Sequence, residues 1–408
     1  MLHFAVDLVV RGVFVLVYLG MILGEFPGLK LDRTGIALLG AIALIASGRI
    51  SLQDAWNAID VATIALLLGL MVISAQFRLG GFYTVVTRRL GAADHTPSHL
   101  LALVVLTAGV LSAILANDIV CLAMAPVLLE LCARRGLDPV PFLLALACGS
   151  NVGSAGTLIG NPQNMLIGEV LDLSFTRYLW EGGVPALVGL GVVWAVLQLA
   201  YRNRWYRSTS LPAVDVTPYD HWQTMKGVAV VTVVMAAFLF SGAPREVVAL
   251  AAAGVLLASR EMASREMLGL VDWHLLVLFA GLFVVNAAVQ QSGQLGGVFM
   301  AFRMAHLDLA NPAVLFGVTT VLSNVVSNVP AVMLLLPVAS HPLAGAVLAL
   351  ASTLAGNLFI VGSIANIIVV DQSRRLGVEI DWKTHARVGV PVTLVTLAIA
   401  GAWLWLIS

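Results

Sequence analysis

Charge is what this chain has least of. Lys, Arg, Asp and Glu make up 11% of its 408 residues, against roughly a quarter in an average soluble domain, while 60% of the residues are hydrophobic. The 22 basic and 22 acidic residues cancel, so no electrostatic footprint for a nucleic acid exists. Only three cysteines occur, Cys121, Cys132 and Cys148, all in or beside apolar segments and without CxxC spacing. They read as small buried hydrophobes and not as a disulfide or metal framework. HExxH, GxSxG and Walker A sequences are all missing, which removes the usual signatures of zinc proteolysis, serine hydrolysis and ATP-driven transport. A polytopic membrane enzyme stays only as the alternative from another class. The first apolar run follows no basic stretch and leads into Gly24-Glu25-Phe26-Pro27, so it reads as a retained span and not a signal peptide.

What is present is apolar sequence in continuous runs, as in Val13–Leu23, Ile36–Ala46 and Val61–Ile73. Membrane-spanning strands would alternate polar and apolar residues, so the expectation is an all-α polytopic membrane protein. The second half of the chain repeats the first at a nearly fixed offset. Arg33, Ser47, Asp60 and Gly69 match Arg245, Ser259, Asp272 and Gly281, each 212 residues later. Leu111–Pro126 then aligns with Leu322–Pro337, pairing Asn117 with Asn328. Gly149–Gly168 aligns with Ala355–Val370, pairing Asn151 with Asn357 and, after a four-residue deletion, Gly160 with Gly362 and Asn164 with Asn366.

Each half reads as three spans, a hairpin of two apolar segments, a Gly/Asn-interrupted span and a closing span. The expected spans lie near 8–24, 35–50, 60–78, 139–171 and 182–200, and near 226–241, 246–259, 271–291, 342–371 and 386–407, with hairpins near 100–133 and 310–340. If the hairpins are re-entrant, each half crosses the membrane an odd number of times and the halves are inverted. Placing the N-terminus outside then leaves 17 of the 22 basic residues in cytoplasmic loops, four outside (Arg49, Arg177, Arg245 and Arg303) and Arg11 within the first span, where it can snorkel. The expected organisation is residues 1–200 as one inverted repeat of five spans, 201–225 as a cytoplasmic linker with Pro212 and Pro218, and 226–408 as the second repeat. Both termini face outward from an inner membrane.

Gly149–Gly168, GSNVGSAGTLIGNPQNMLIG, holds five glycines and three asparagines where a membrane helix is expected. Non-helical backbone survives at that depth only where protein buries it or water reaches it. Asn161-Pro162 removes a backbone donor and pushes Asn161 out of helical geometry. A helix that stops and restarts offers N–H groups to an anion and carbonyls to a cation, so the breaks of two inverted repeats are where a transport site is sought. The candidate binding residues are Asn117, Asn151, Gly153, Thr157, Asn161, Asn164, Ser327, Asn328, Asn357, Gly362, Ser363 and Asn366. Na+ would sit near Asn117, Asn151, Asn328 and Asn357, and no other cofactor is expected. Asp118 is an aspartate at the first hairpin tip, where ionisable groups usually mark an ion path or proton relay. It joins those four asparagines as a coupling residue, although an Asn-Asp pair can also cap a helix.

Other polar residues take structural readings. Asp60 and Asp272 cap matched spans. Ser74, Gln76, Asn286, Gln290 and Gln291 make interhelical hydrogen bonds. His274 lies near a span end, and no basic side chain is placed in the site.

At the two tips and two breaks the chain resembles the ion transporter superfamily, which includes arsenite permeases, NhaD-type sodium/proton antiporters, citrate-metal symporters and divalent-anion/sodium symporters. SNVGSAGTLIGNPQN and GNLFIVGSIANIIV carry the resemblance, and with the two hairpins it covers nearly the whole chain. It implies a homodimeric elevator-type secondary transporter in which hairpins and broken helices carry the substrate past a scaffold. Its divalent-anion branch typically has Ser-Asn-Thr at the tips. Here Ala116-Asn117-Asp118 and Ser327-Asn328-Val329 stand there, closer at the first tip to the arsenite and antiporter branches. The implied function is secondary transport of a small anion or oxyanion-like solute, of the carboxylate, sulfate or arsenite class, coupled to H+ or Na+. Na+/H+ antiport through Asp118 is the alternative.

Overall fold

The computed structural model describes residues 2–26, 28–92, 96–207, 218–293, 300, 304 and 307–408. Among these no strand forms, and helices joined by short connections make up the fold. The first half contains α1 (Leu2–Leu23), α2 (Arg33–Ala46), α3 (Leu52–Ala58), α4 (Val61–Leu79), α5 (Phe82–Ala92), α6 (Pro97–Ile114), α7 (Asn117–Arg134), α8 (Pro139–Ser154), α9 (Pro162–Val170) and α10 (Phe175–Ala200). The second contains α11 (His221–Phe240), α12 (Arg245–Leu257), α13 (Ser264–Gly269), α14 (Trp273–Gln291), α15 (Pro312–Val326), α16 (Asn328–Leu335), α17 (Ala344–Ala355), α18 (Ile364–Arg375) and α19 (Trp382–Leu406). Of the expected 201–225 linker, residues 208–217 lie outside the described residues, as does Arg303.

Side-chain caps fix many of these boundaries. Asp60 Oδ1 accepts from Thr63 N at 2.7 Å to start α4, and Asp272 Oδ1 accepts from Leu275 N at 2.9 Å to start α14. Both satisfy an N–H that a helix start leaves free, as expected for these two carboxylates. By length and composition six of the described helices, α4, α6, α10, α11, α14 and α19, can cross a membrane, and the remaining apolar helices are shorter. Three short amphipathic or polar elements that the apolar runs did not announce, α3, α5 and α13, join the longer ones.

Helix packing repeats across the halves. α2 packs against α14, and α12 against α4. Glycine permits both approaches: a Cβ at Gly69 would stand 2.6 Å from the backbone of Ala249, and one at Gly281 would stand 2.8 Å from that of Ala37. These four residues are the same pair twice at the 212-residue offset. Asn286, Gln76 and Ser74, three of the five residues expected to make interhelical hydrogen bonds, do so: Tyr18 Oη donates to Asn286 Oδ1 (3.0 Å), Gln76 Nε2 to Gln223 Oε1 (3.0 Å) and Ala116 N to Ser74 Oγ (3.4 Å).

Candidate functional site

The first break opens after Ser154 and closes at Pro162. Proline needs no helical N–H at this first position, and Asn161 is accordingly extended (φ −152°, ψ 162°), with its Oδ1 accepting from Asn164 N at 2.9 Å. Asn161 Nδ2 donates to Ser154 Oγ (3.0 Å) and Thr353 Oγ1 (3.2 Å). Asn164 Nδ2 donates to Thr157 O (2.8 Å) and Tyr178 Oη (3.1 Å), and Thr157 Oγ1 donates to Ala113 O (2.5 Å). A Cβ at Gly153 would strike the backbone of Gly109, so α8 lies directly on α6. Gly153, Thr157, Asn161 and Asn164 are thus engaged by protein, and their geometry holds the break in shape.

The second break runs from the end of α17 to Ser363, which starts α18 without a side-chain cap. Asn366 does here what Asn164 does in the first, its Nδ2 donating to Gly356 O (2.9 Å) and Phe359 O (3.2 Å). A Cβ on Gly362 would stand 3.0 Å from Gly356 O, a looser approach than at Gly153.

Asn151 joins the two breaks. Its Nδ2 donates to Asn357 Oδ1 (2.9 Å) and Asn366 Oδ1 (3.1 Å), while its Oδ1 accepts from Ser363 Oγ (2.8 Å) and, at the limit of reach, from Asn117 Nδ2 (3.5 Å). The first hairpin tip is docked onto its own break through Asn117 N, which donates to Gly160 O at 3.2 Å. At the second tip Ser327 occupies the left-handed region (φ 77°), a conformation costly for a non-glycine residue. The amide of Asn328, oriented to donate, reaches Ser323 Oγ (2.5 Å), Ser352 O (3.2 Å) and Gly362 O (3.3 Å). Around this hub Asn117 Oδ1, Asn324 Oδ1 and Asn357 Nδ2 are buried without a partner among the described residues. Such groups cost about 1–3 kcal/mol each when left unmade, and three of them gather around this hub.

Asp118 is not part of that hub. One residue beyond Asn117, it lines a separate cavity of about 280 Å³ whose other walls include Arg78 from α4, Asp272 before α14, Pro162 and Ile368. Asp118 is turned away from the asparagines it was grouped with, because successive residues of a helix point about 100° apart. Arg78, near the end of α4, lines this separate cavity and not the asparagine hub.

Two further residues escaped the sequence. Tyr178 Oη donates to Ala155 O (2.7 Å), and His385 Nε2, facing a carbonyl and so protonated at that nitrogen, lies 3.0 Å from Asn357 O. Each closing span, α10 or α19, thereby supplies a buried donor to a carbonyl freed where a broken helix stops. The signal that could have found this pair is positional: Tyr178 and His385 precede Pro185 and Pro391, the prolines inside the two closing spans.

With this geometry in place, the comparisons with known proteins agree on its class. The citrate transporter family profile matches residues 15–355. An uncharacterized transporter of Mycobacterium tuberculosis is 30% identical, the alignment covering 92% of this chain and 94% of the relative. The silicon efflux transporter LSI3 of rice, Oryza sativa, is 29% identical over 91% and 92%. Among solved structures, the YdaH transporter of Alcanivorax borkumensis shares the fold with a TM-score of 0.58 at 15% identity, covering 99% of this chain and 98% of its own. The protein is a transporter and not an enzyme, and it belongs to the citrate transporter family.

Proposed function

We propose that this protein is a secondary active transporter of a small anion or oxyanion-like solute, of the carboxylate, sulfate or arsenite class, driven by H+ or Na+. The observation that carries the reading is the asparagine hub. Both halves of the chain, both breaks and the first hairpin tip converge on Asn151, and the buried amide atoms left unpaired around it include a donor for an anion and acceptors for a cation. Asn117, Asn357, Asn328, Ser327 and Ser363 form the ligand-facing set. Na+ near Asn117, Asn151, Asn328 and Asn357 would take their amide and backbone oxygens. Gly153, Thr157, Asn161, Asn164, Gly362 and Asn366 shape the breaks around it.

Residues 1–200 and 226–408 act as inverted repeats, with 201–225 as a cytoplasmic linker, and the recurring Gly69–Ala249 and Gly281–Ala37 contacts support that relation. The hairpins and broken helices move as one elevator-type body past α2, α4, α12 and α14. The homodimer sits in the inner membrane with both termini outside. Asp118, in its cavity with Arg78 and Asp272, couples the ion.

Purified protein screened by thermal shift against citrate, sulfate, arsenite, Na+ and Li+ across pH should be stabilised by one anion, since a ligand that binds only the folded state raises its stability. Proteoliposome uptake of that anion should require an H+ or Na+ gradient and vanish in Asp118→Asn while membrane insertion persists. Unchanged gradient-driven uptake in that variant would remove Asp118 from coupling. The paired carboxylates at one cavity favour a second reading, Na+/H+ antiport, which predicts Na+-driven pH change in vesicles containing no anion substrate.

A further inference from the structure

Arg245 ties the far end of the first broken helix to the second half of the chain. Its Nη2 donates to Gly168 O (2.7 Å) and its Nη1 to Leu173 O (2.9 Å). Its Nε lies 2.9 Å from Glu169 Oε1, close enough for an ion pair although not aligned as a hydrogen bond. The Arg245 and Glu169 side chains are 11% and 8% exposed. This clamp joins the start of α12 to the end of α9, and α9 also packs against α4.

The repeat supplies the same parts a second time. Arg33 corresponds to Arg245 at the 212-residue offset, and the register that pairs Asn164 with Asn366 pairs Glu169 with Asp371. These two do not meet here. Arg33 Nε donates to Met21 O (3.1 Å), and Asp371 pairs with Arg374 (3.2 Å) and Arg375 (2.8 Å), both largely exposed on its own helix. α18 also lacks against α14 the packing that α9 has against α4.

We propose that Arg33 and Asp371 form, in the opposite conformation, the ion pair that mirrors Arg245–Glu169, so that one clamp opens as the other closes. The inference rests on the inverted-repeat, moving-body reading above. If the halves are inverted, displacement of the body carrying α9 and α18 exchanges their surroundings: α9 leaves α12 and α4, and α18 arrives at α2 and α14. Asp371 then trades Arg374 and Arg375 for Arg33, and Glu169 is released. Asp371 gives up little in leaving the largely exposed Arg374 and Arg375, and the Arg245–Glu169 pair lost at one side is replaced by its counterpart at the other.

The test uses the full chain in proteoliposomes, with Cys121, Cys132 and Cys148 replaced by alanine. One variant carries Glu169→Cys with Arg245→Cys and another Arg33→Cys with Asp371→Cys, each bridged by a short bifunctional thiosulfonate because long ion-paired side chains hold their α-carbons beyond direct disulfide reach. Both pairs should link, the first faster, and each link should cut ion flux at least tenfold until reduced. Adding Glu169→Gln should speed linking of the second pair several-fold by shifting the population. A second pair that never links, while the first links and arrests flux, overturns the proposal and leaves the moving body intact. A first pair whose link leaves flux unchanged overturns both. If the alanine background loses flux, a double-mutant cycle in the native-cysteine chain decides: Arg33→Gln and Asp371→Asn should each slow flux and together slow it no further, and fully additive losses overturn the pair.

Discussion

The two broken helices follow one plan and live in different surroundings. Every residue from Gly149 to Gly168 is buried, whereas in the second break Phe359 and Val361 are 51% and 60% exposed, with Ile364 and Ile367 also exposed. Local chemistry explains part of this. The first break has a proline at its restart, an asparagine cap and a glycine that lets α8 rest on the backbone of α6, while the second restarts at an uncapped serine. The rest is position: α9 is held by α4, α17 and the Arg245 clamp, and α18 has no equivalent hold on the α14 side. Duplicated modules placed unequally in one conformation are what alternating access requires, because the inequality is what the opposite conformation would reverse.

That comparison can be broken at its centre. Asn151→Ala removes three hydrogen bonds linking the breaks and one to the hairpin tip, and strands Ser363, Asn357 and Asn366, so substrate-dependent thermal stabilisation and uptake should fall at least tenfold. Retention of both would place the ligand elsewhere. Gly153→Ala should cost about 1–3 kcal/mol by forcing α8 off Gly109, and Gly362→Ala less than about 1 kcal/mol, because the first break is the tighter of the two. Equal losses in melting temperature would contradict the difference.

Tyr178→Phe should cost about 1 kcal/mol by freeing Ala155 O, with affinity nearly unchanged. His385→Leu, adjacent to Asn357 at the hub, should cost a similar amount and also weaken the ligand-induced shift in melting temperature. The smallest perturbation is a single cysteine for labelling. Val361→Cys should react with a hydrophilic maleimide and slow down under saturating substrate, whereas Leu158→Cys, at 1% exposure, should not react. Absence of reaction at both would set Val361 against lipid or another copy of the chain and not against water.

Much of the fold was legible because its rules are local. Asn161-Pro162 announces a helix stop and restart, Asp60 and Asp272 cap as carboxylates at helix starts do, and a repeat offset of 212 foretells that Gly69 and Gly281 share a role. The three short helices between spans were missed because α3 and α13 are too brief to show a period and α5, at 11 residues, is too polar to stand out as an apolar run.

The site was legible in membership more than in arrangement. Asn151 and Asn357, 206 residues apart, were grouped at one site by the repeat, but the hydrogen bond that joins them was not legible, and neither was the separation of Asp118 from Asn117. A sequence shows facing only when a helix is polar on one side, and helices apolar nearly all round give no such signal. The sequence alone determined that the chain is a bundle of apolar helices, where two of them break and which residues stand at the breaks, since hydrophobicity and backbone chemistry act within a few residues. Only the tertiary structure decided which amides meet, that Arg78 joins Asp118, and that Tyr178 and His385 reach inward, because those depend on how each helix is rotated against neighbours distant in the chain.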